Sequence, residues 1–280
     1  MGKYSIPRFG ATAVIIVLLA GACSLTEEEP AFENPFDPTD DNPAFIPVET
    51  VITSGPATGD VVDDHTVTFT WTGNEGVVEY SYRLNESAWS DWSPDSAVTY
   101  TYLDEDSYIF EVKGRYNEAA EDETPDSRLF EIDDVQGPAF MFFPRKVDVV
   151  KESIFAVDIV AEEVTNLAGV NIVVTFDPSL LQLESIDVYD GDTSFFRTNG
   201  GTVVSFHDYD NTAGSLTISS GVATGDPAGV DGTGAVAGLN FRAIGSGTTE
   251  VVFDTGSKMR NPDNQGITLS DLVKGIVEIE

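Results

Sequence analysis

Between residues 167 and 188 the chain reads LAGVNIVVTFDPSLLQLESIDV, with hydrophobicity alternating at a period of two. Ala168, Val170, Ile172, Val174 and Phe176 fall on one side, and Gly169, Asn171, Val173 and Thr175 on the other. Successive side chains of a strand point to opposite faces, so this is a strand with one face for a core and one to offer. Asp177-Pro178 ends it, because proline has no N–H for the ladder and aspartate caps turns. A second strand, 181–188, follows at once, and the pair needs another sheet to cover its apolar side.

The surrounding sequence supplies that sheet. Strands are expected at 140–150, 153–161, 203–209, 215–220, 236–244, 248–254 and 276–280, with a Gly/Asp-rich excursion over 221–234 and an irregular stretch around Asn261-Pro262. With the opening pair this makes about nine strands, a count that suits a jelly-roll sandwich over residues 138–280. Val135-Gln136-Gly137-Pro138 reads as a hinge. Before it, residues 47–134 hold six short alternating runs, at 48–53, 66–72, 78–84, 98–103, 108–116 and 128–132. Such spacing argues for a second sandwich, with Trp71, Tyr80 and Tyr82 as core aromatics. Leu103 followed by Tyr108, Phe110 and Val112 resembles the tyrosine corner of immunoglobulin and fibronectin type III domains, with Tyr108 as the corner residue. The fold class is therefore all-β: two sandwiches, the first immunoglobulin- or fibronectin III-like and the second a jelly roll.

The amino terminus has another purpose. Lys3 and Arg8 precede an apolar run, 11–20, too short to span a bilayer, so residues 1–22 read as a signal peptide. It closes on Leu19-Ala20-Gly21-Ala22-Cys23, and Cys23 is the single cysteine of the chain. A lone cysteine cannot form an internal disulfide. Small residues before it resemble the lipobox of bacterial lipoproteins, in which the cysteine becomes the lipidated first residue; Ala20 stands where leucine is usual. The resemblance implies export and a lipid anchor to the bacterial membrane at Cys23. Ser24 and the acids that follow resemble the outer-membrane and surface-export signals of such lipoproteins, which implies the outer membrane or cell surface. Residues 23–46, rich in Pro, Asp, Glu and Asn, read as a disordered acidic tether. Within it, Asn34-Pro35-Phe36-Asp37-Pro38 resembles a short motif found after the lipidated cysteine of exported lipoproteins.

Fourteen Lys and Arg against 48 Asp and Glu give a formal charge of −34, which opposes binding to nucleic-acid phosphates. Such acidity suits a solvated surface, and otherwise calcium or a basic partner. Asp190/Asp192 and Asp226/Asp231 sit in Gly-rich loops where oxygens could gather round a hard cation, but no EF-hand spacing occurs and turn chemistry explains them as well. No metal or other cofactor is called for. His207-Asp208-Tyr209-Asp210 places His207 and Tyr209 on one strand face and Asp208 on the other, so no His–Asp pair forms there. No nucleophile elbow or HExxH spacing is present, and the chain does not read as an enzyme. Trp89 and Trp92 in WSDWS could form a sugar-stacking platform, but packing over their own sandwich is the stronger reading. His65, in Asp63-Asp64-His65, reads as solvated.

The order of these pieces from Ala139 to Glu280 resembles a cohesin domain. The likeness is carried by VTNLAGVNIVVTFDPSLLQLESI, the Gly-rich run into Gly234-Ala235-Val236-Ala237-Gly238-Leu239-Asn240-Phe241, the 247–253 strand and the terminal 275–279 strand. Cohesins bind dockerins, small calcium-containing helical modules, and so assemble polysaccharide-degrading enzymes. The resemblance implies a docking sheet formed by strands 169–175, 203–209, 215–220 and 248–254. By alternation its outward residues are expected to be Asn171, Val173, Thr175, Ser205, His207, Tyr209, Thr217 and Ser219, with Val173 and Tyr209 as apolar anchors. Ser219 falls where many cohesins present a larger apolar residue. Direct polysaccharide binding is the alternative, and a structural or adhesive envelope lipoprotein is another.

Overall fold

The computed structural model describes residues 34–38, 44–189, 191, 194–198, 200–223 and 229–280. Cys23, the signal peptide and most of the tether lie outside the described residues, as do Asp190, Asp192 and Asp226.

The first unit holds β1 (Thr50–Ser54), β2 (Asp60–Val62), β3 (Val67–Gly73), β4 (Glu79–Leu84), β5 (Ala97–Tyr100), β6 (Ser107–Asn117), β7 (Ala120–Glu121) and β8 (Asp126–Ile132). One sheet runs β1-β3-β5; the other runs β2-β8-β6-β4, with β7 beside β6. All six expected runs form strands. Alternation buries Val67, Phe69 and Trp71 of β3 against Tyr108, Phe110 and Val112 of β6, with Phe69 and Phe110 stacked at 4.0 Å between ring centroids. The Tyr108 hydroxyl donates to the Asp104 carbonyl at 3.0 Å, the contact expected of a corner tyrosine. Trp89 and Trp92 form no open platform. Arg83 lies 4.5 Å from the Trp89 ring, Lys113 lies 5.1 Å from each ring, and Arg115 lies 4.4 Å from Trp92. The indoles thus interleave with cations, and Glu111, Glu121 and Glu79 pair with those same cations.

The second unit holds β9 (Ala139–Phe143), β10 (Lys146–Val149), β11 (Ile154–Leu167), β12 (Gly169–Phe176), β13 (Leu181–Val188), β14 (Val203–Asp210), β15 (Ser215–Val222), β16 (Val230–Ala243), β17 (Gly247–Phe253), β18 (Lys258–Arg260), β19 (Gly266–Ile267), β20 (Asp271–Val273) and β21 (Gly275–Ile279). One sheet runs β13-β16-β11-β9-β20 and the other β10-β21-β17-β12-β15-β14. Val170, Ile172, Val174 and Phe176 are buried between them, as the opening alternation requires. The Asp177 carboxylate accepts from the Ser179 hydroxyl and N–H at 2.6 and 2.8 Å, which holds its pKa below the ordinary carboxylate range.

Three expectations are corrected. The single strand 140–150 divides at Pro144, which cannot donate to a ladder, so β9 and β10 belong to opposite sheets. The Gly-rich excursion is partly strand, since β16 starts at Val230; Gly234 is needed there because Phe195 packs where its side chain would be. The irregular stretch near Pro262 is a hairpin, β18 paired with β19.

The expected hinge and tether are also tied down where they are described. Val135 is 2% exposed and packs with Ala139 and Met141. The Arg145 guanidinium, 2% exposed, grips both Asp134 oxygens at 2.8 Å, and its backbone N–H donates to Asp104. His65, expected to be solvated, stacks on Tyr102 at 5.3 Å. In the tether, Phe36 meets Tyr116 edge-on at 4.8 Å and packs with Val48 and Ala120. Gly76, at φ +97°, leaves the space that Phe36 fills. The Asn34 side chain accepts from the Phe36 N–H, and Ile46 N–H donates to the Pro35 carbonyl at 2.9 Å.

Around the junction, Glu105 accepts the Val135 N–H at 2.6 Å. Burial, reinforced by Glu162, Asp134 and Asp133, nonetheless pushes its carboxyl up to about 7. The folded protein therefore binds this proton more tightly than the unfolded chain does. The stability that proton brings is complete below about 4.5 and is lost as pH rises to about 7. Glu105→Gln should match wild type at about pH 3.5, below the unfolded carboxyl's pKa, in denaturant unfolding. At pH 8 it should be the more stable of the two, on the order of 1 kcal/mol once screening of a half-exposed group is counted.

Candidate docking face

The four strands expected to share one sheet do so, in the order β17-β12-β15-β14. β12 is the hub, because along one edge it pairs with β15, while along the other it pairs with β17 at Val174–Phe176 and with β18 at Gly169–Asn171. Residues directly opposite in a ladder share a face. Asn171 therefore lies between Lys258 and Ser219, and Ser219 opposes Phe206, giving one row across the sheet: Lys258, Asn171, Ser219, Phe206. The next row is Arg260, Gly169, Gly221, Val204. A third joins Val173, Thr217 and Asp208, and a fourth joins Thr175, Ser215 and Asp210.

This register confirms the outward placement of Asn171, Val173, Thr175, Thr217 and Ser219 and reverses that of Ser205, His207 and Tyr209. Those three oppose Ser220, Ile218 and Leu216, whose side chains face the core side. Ser205 Oγ lies 2.7 Å from Ser220 Oγ on that side. His207 and Tyr209 remain exposed because β14 is the sheet edge. The outward residues of β14 are Val204, Phe206 and Asp208, and Phe206 is 71% exposed. Sequence reasoning missed Val204 and Phe206 because both faces of β14 carry apolar residues, so alternation there does not choose between them. It missed Lys258 and Arg260 because their strand was read as irregular.

Small floor residues between taller walls make a groove of about 600 Å³. Gly169, Asn171, Ser219 and Gly221 are its floor; Val204 and Phe206 form one wall, and Lys258 and Arg260 the other. The Ser219 hydroxyl donates to Asn171 Oδ1 at 2.9 Å, so the two polar floor residues satisfy each other. Both walls are held from behind. The Asn211 side chain joins the β14–β15 turn to β13, accepting from Leu183 N–H at 2.8 Å and donating to the Leu183 carbonyl at 3.0 Å. The Ser257 hydroxyl accepts from Val173 N–H at 3.0 Å and donates to the Val173 carbonyl at 3.1 Å, fixing the step from β17 to β18. Elsewhere, the Asp231 carboxylate accepts from Asn166 N–H at 2.7 Å, a bond between β16 and β11 rather than within a turn. Among the described residues no group of three or more His, Cys, Asp or Glu could hold a metal ion.

Residues 143–279 match the family model of the cohesin domain. Cohesin domains are non-enzymatic binding modules that bind dockerins in cellulosome-type systems. Among solved structures, a type II cohesin domain from the cellulosome of Acetivibrio cellulolyticus is similar at 17% identity, covering 50% of this chain and 92% of its own, with a TM-score of 0.42. A cohesin from a type I cohesin–dockerin complex of Clostridium thermocellum shares 14% identity over 51% of this chain and 98% of its own, with a TM-score of 0.41. A non-cellulosomal cohesin of the archaeon Archaeoglobus fulgidus shares 12% over 51% and 88%, with a TM-score of 0.40. No curated protein matches the chain.

An exposed wall residue and a core residue on one sheet should respond oppositely to truncation. Phe206→Ala is expected to change unfolding free energy by no more than about 0.5 kcal/mol, and Ile172→Ala to cost about 2–5 kcal/mol, both read by denaturant titration.

Proposed function

We propose that the cohesin domain spanning residues 143–279 docks dockerin-bearing proteins on the β14-β15-β12-β18 face, and that the chain is a lipoprotein displaying this domain at the cell surface. The observation that carries the docking reading is Phe206, a large aromatic side chain 71% exposed on an otherwise well-formed sandwich and set over a floor of small residues. Interfaces draw most of their binding energy from a few such anchors. Val204 and Val173 extend the apolar surface on the same face, and Asn171 and Ser219 bring polar atoms to its middle. Tyr209, on the other side of the strand, is no longer an anchor of this face.

The upstream sequence supports display. Cys23 follows an apolar run and small residues, as a lipidated cysteine would, and a compact sandwich separates it from the docking domain. A link to polysaccharide degradation belongs to the same reading and follows from the enzymes that dockerins commonly bring. Trp89 and Trp92, the candidate sugar platform, have their rings engaged by Arg83, Lys113 and Arg115.

Two experiments test the proposal. Purified dockerin modules from the same organism should bind the full chain, and Phe206→Ala should weaken binding by about 2 kcal/mol, roughly thirtyfold, while leaving the melting curve intact. Equal binding by the variant would remove this face as the site. For the anchor, labelled fatty acid should be incorporated into the expressed wild-type precursor and not into Cys23→Ser; equal labelling of both would rule out lipidation at that residue.

A further inference from the structure

We infer that the groove selects a helical segment bearing acidic residues, with Lys258 and Arg260 receiving carboxylates on one flank while Phe206 and Val204 take its apolar flank. This rests on the docking reading above and adds the chemistry of the occupant.

Most described cations are neutralised from within; Lys151, which lies outside the groove, is exposed and forms no salt bridge. Arg83, Lys113, Arg115, Arg128, Arg145, Lys146, Arg242 and Lys274 each contact a carboxylate. Among the described residues, Lys258 and Arg260 form no salt bridge, although the chain carries 48 acidic residues. Both are exposed, both lie on the same strand face, and both line the groove. One guanidinium nitrogen of Arg260 donates to the Asn264 carbonyl at 2.8 Å, which orients the head and leaves its other donors available. The negative field of the whole chain is damped beyond about 8 Å at physiological ionic strength, so these two local charges decide what is attracted into the groove. The acidic composition alone had suggested a basic partner; at this face the local sign is opposite.

Shape selects the helix. Three strand spacings separate β18 from β14, about 14 Å, and the floor between them is small side chains and glycine. A helix with its side chains is about 10–12 Å across and fills such a trough, whereas a single extended strand leaves most of its depth empty. The walls run along the strands, so the helix lies parallel to β12. Lys258 and Arg260 are two residues apart on their strand, about 6.6 Å, and carboxylates at i and i+4 of a helix are about 6 Å apart.

The test selects binders without presupposing a natural partner. A displayed library of two-helix scaffolds with one randomised face is selected on the full chain, and clones that fail on Phe206→Ala are kept. These clones should be enriched in Asp or Glu at i, i+4 spacing. Lys258→Glu/Arg260→Glu should weaken them at least about tenfold, and reversing the binder's acids to lysine should restore binding to that double variant. The double variant should melt with wild type, since both side chains are exposed. Phe206-dependent clones with neutral faces, unaffected by the double substitution, would overturn the acidic helix and leave the docking face standing. A selection yielding no Phe206-dependent clone would remove the docking face, and this inference with it.

Discussion

The second sandwich depends on the two-faced alternation of β12. One face sends Val170, Ile172, Val174 and Phe176 into the core, and the other lays Gly169 and Asn171 as the floor of the groove. A slip of one residue would exchange these sets, exposing the core residues and burying an asparagine, so the core enforces the register of the groove. The strand also sets the walls. Because β12 pairs with β17 at one end and with β18 at the other, the step between them, fixed by Ser257, brings two cations alongside a floor that β17 alone would not flank. Packing energy on one side of a strand thus positions recognition chemistry on the other.

Arg145 does comparable work between the two sandwiches. A guanidinium almost fully removed from water is expensive, and it is tolerated because Asp134 offers both oxygens. Asp104, which accepts the Arg145 backbone N–H, belongs to the same loop whose carbonyl receives the Tyr108 hydroxyl. The corner of the first sandwich and the first strands of the second are therefore joined through one short stretch of chain. The Glu105 carboxyl at this junction is pushed up chiefly by burial, and further by Glu162, Asp134 and Asp133.

Much of this was legible in the sequence, and where it was not the reasons are physical. Alternation located β12, β15 and the first-domain strands because each buries one face and wets the other. It failed on β14, an edge strand whose outward Phe206 is as apolar as a core residue, so that the pattern carried no direction. It failed on β18, where the run is three residues long and followed by Asn261-Pro262. The hinge reading failed for another reason: Gly and Pro mark a change of chain direction, and they do so equally when flanking side chains lock the turn. Tyr108 shows the opposite case, since its resemblance to a corner tyrosine implied one hydroxyl with one geometric role, the bond to the Asp104 carbonyl.

On the proposal that Cys23 is lipidated, the docking of Phe36 sets how far the rest of the molecule can travel. Under that proposal the chain from Cys23 to Asn34 is 11 residues, at most about 40 Å. Were Phe36 undocked, the leash would run to Phe45, 22 residues and about 75 Å. Effective concentration falls roughly as the −3/2 power of tether length, so halving the tether raises that of anything bound at the docking face, as seen by its surface-fixed target, about threefold. A single aromatic ring seated against Tyr116 and Gly76 would then work as a concentrator, holding a captured partner near the surface without adding a contact to it.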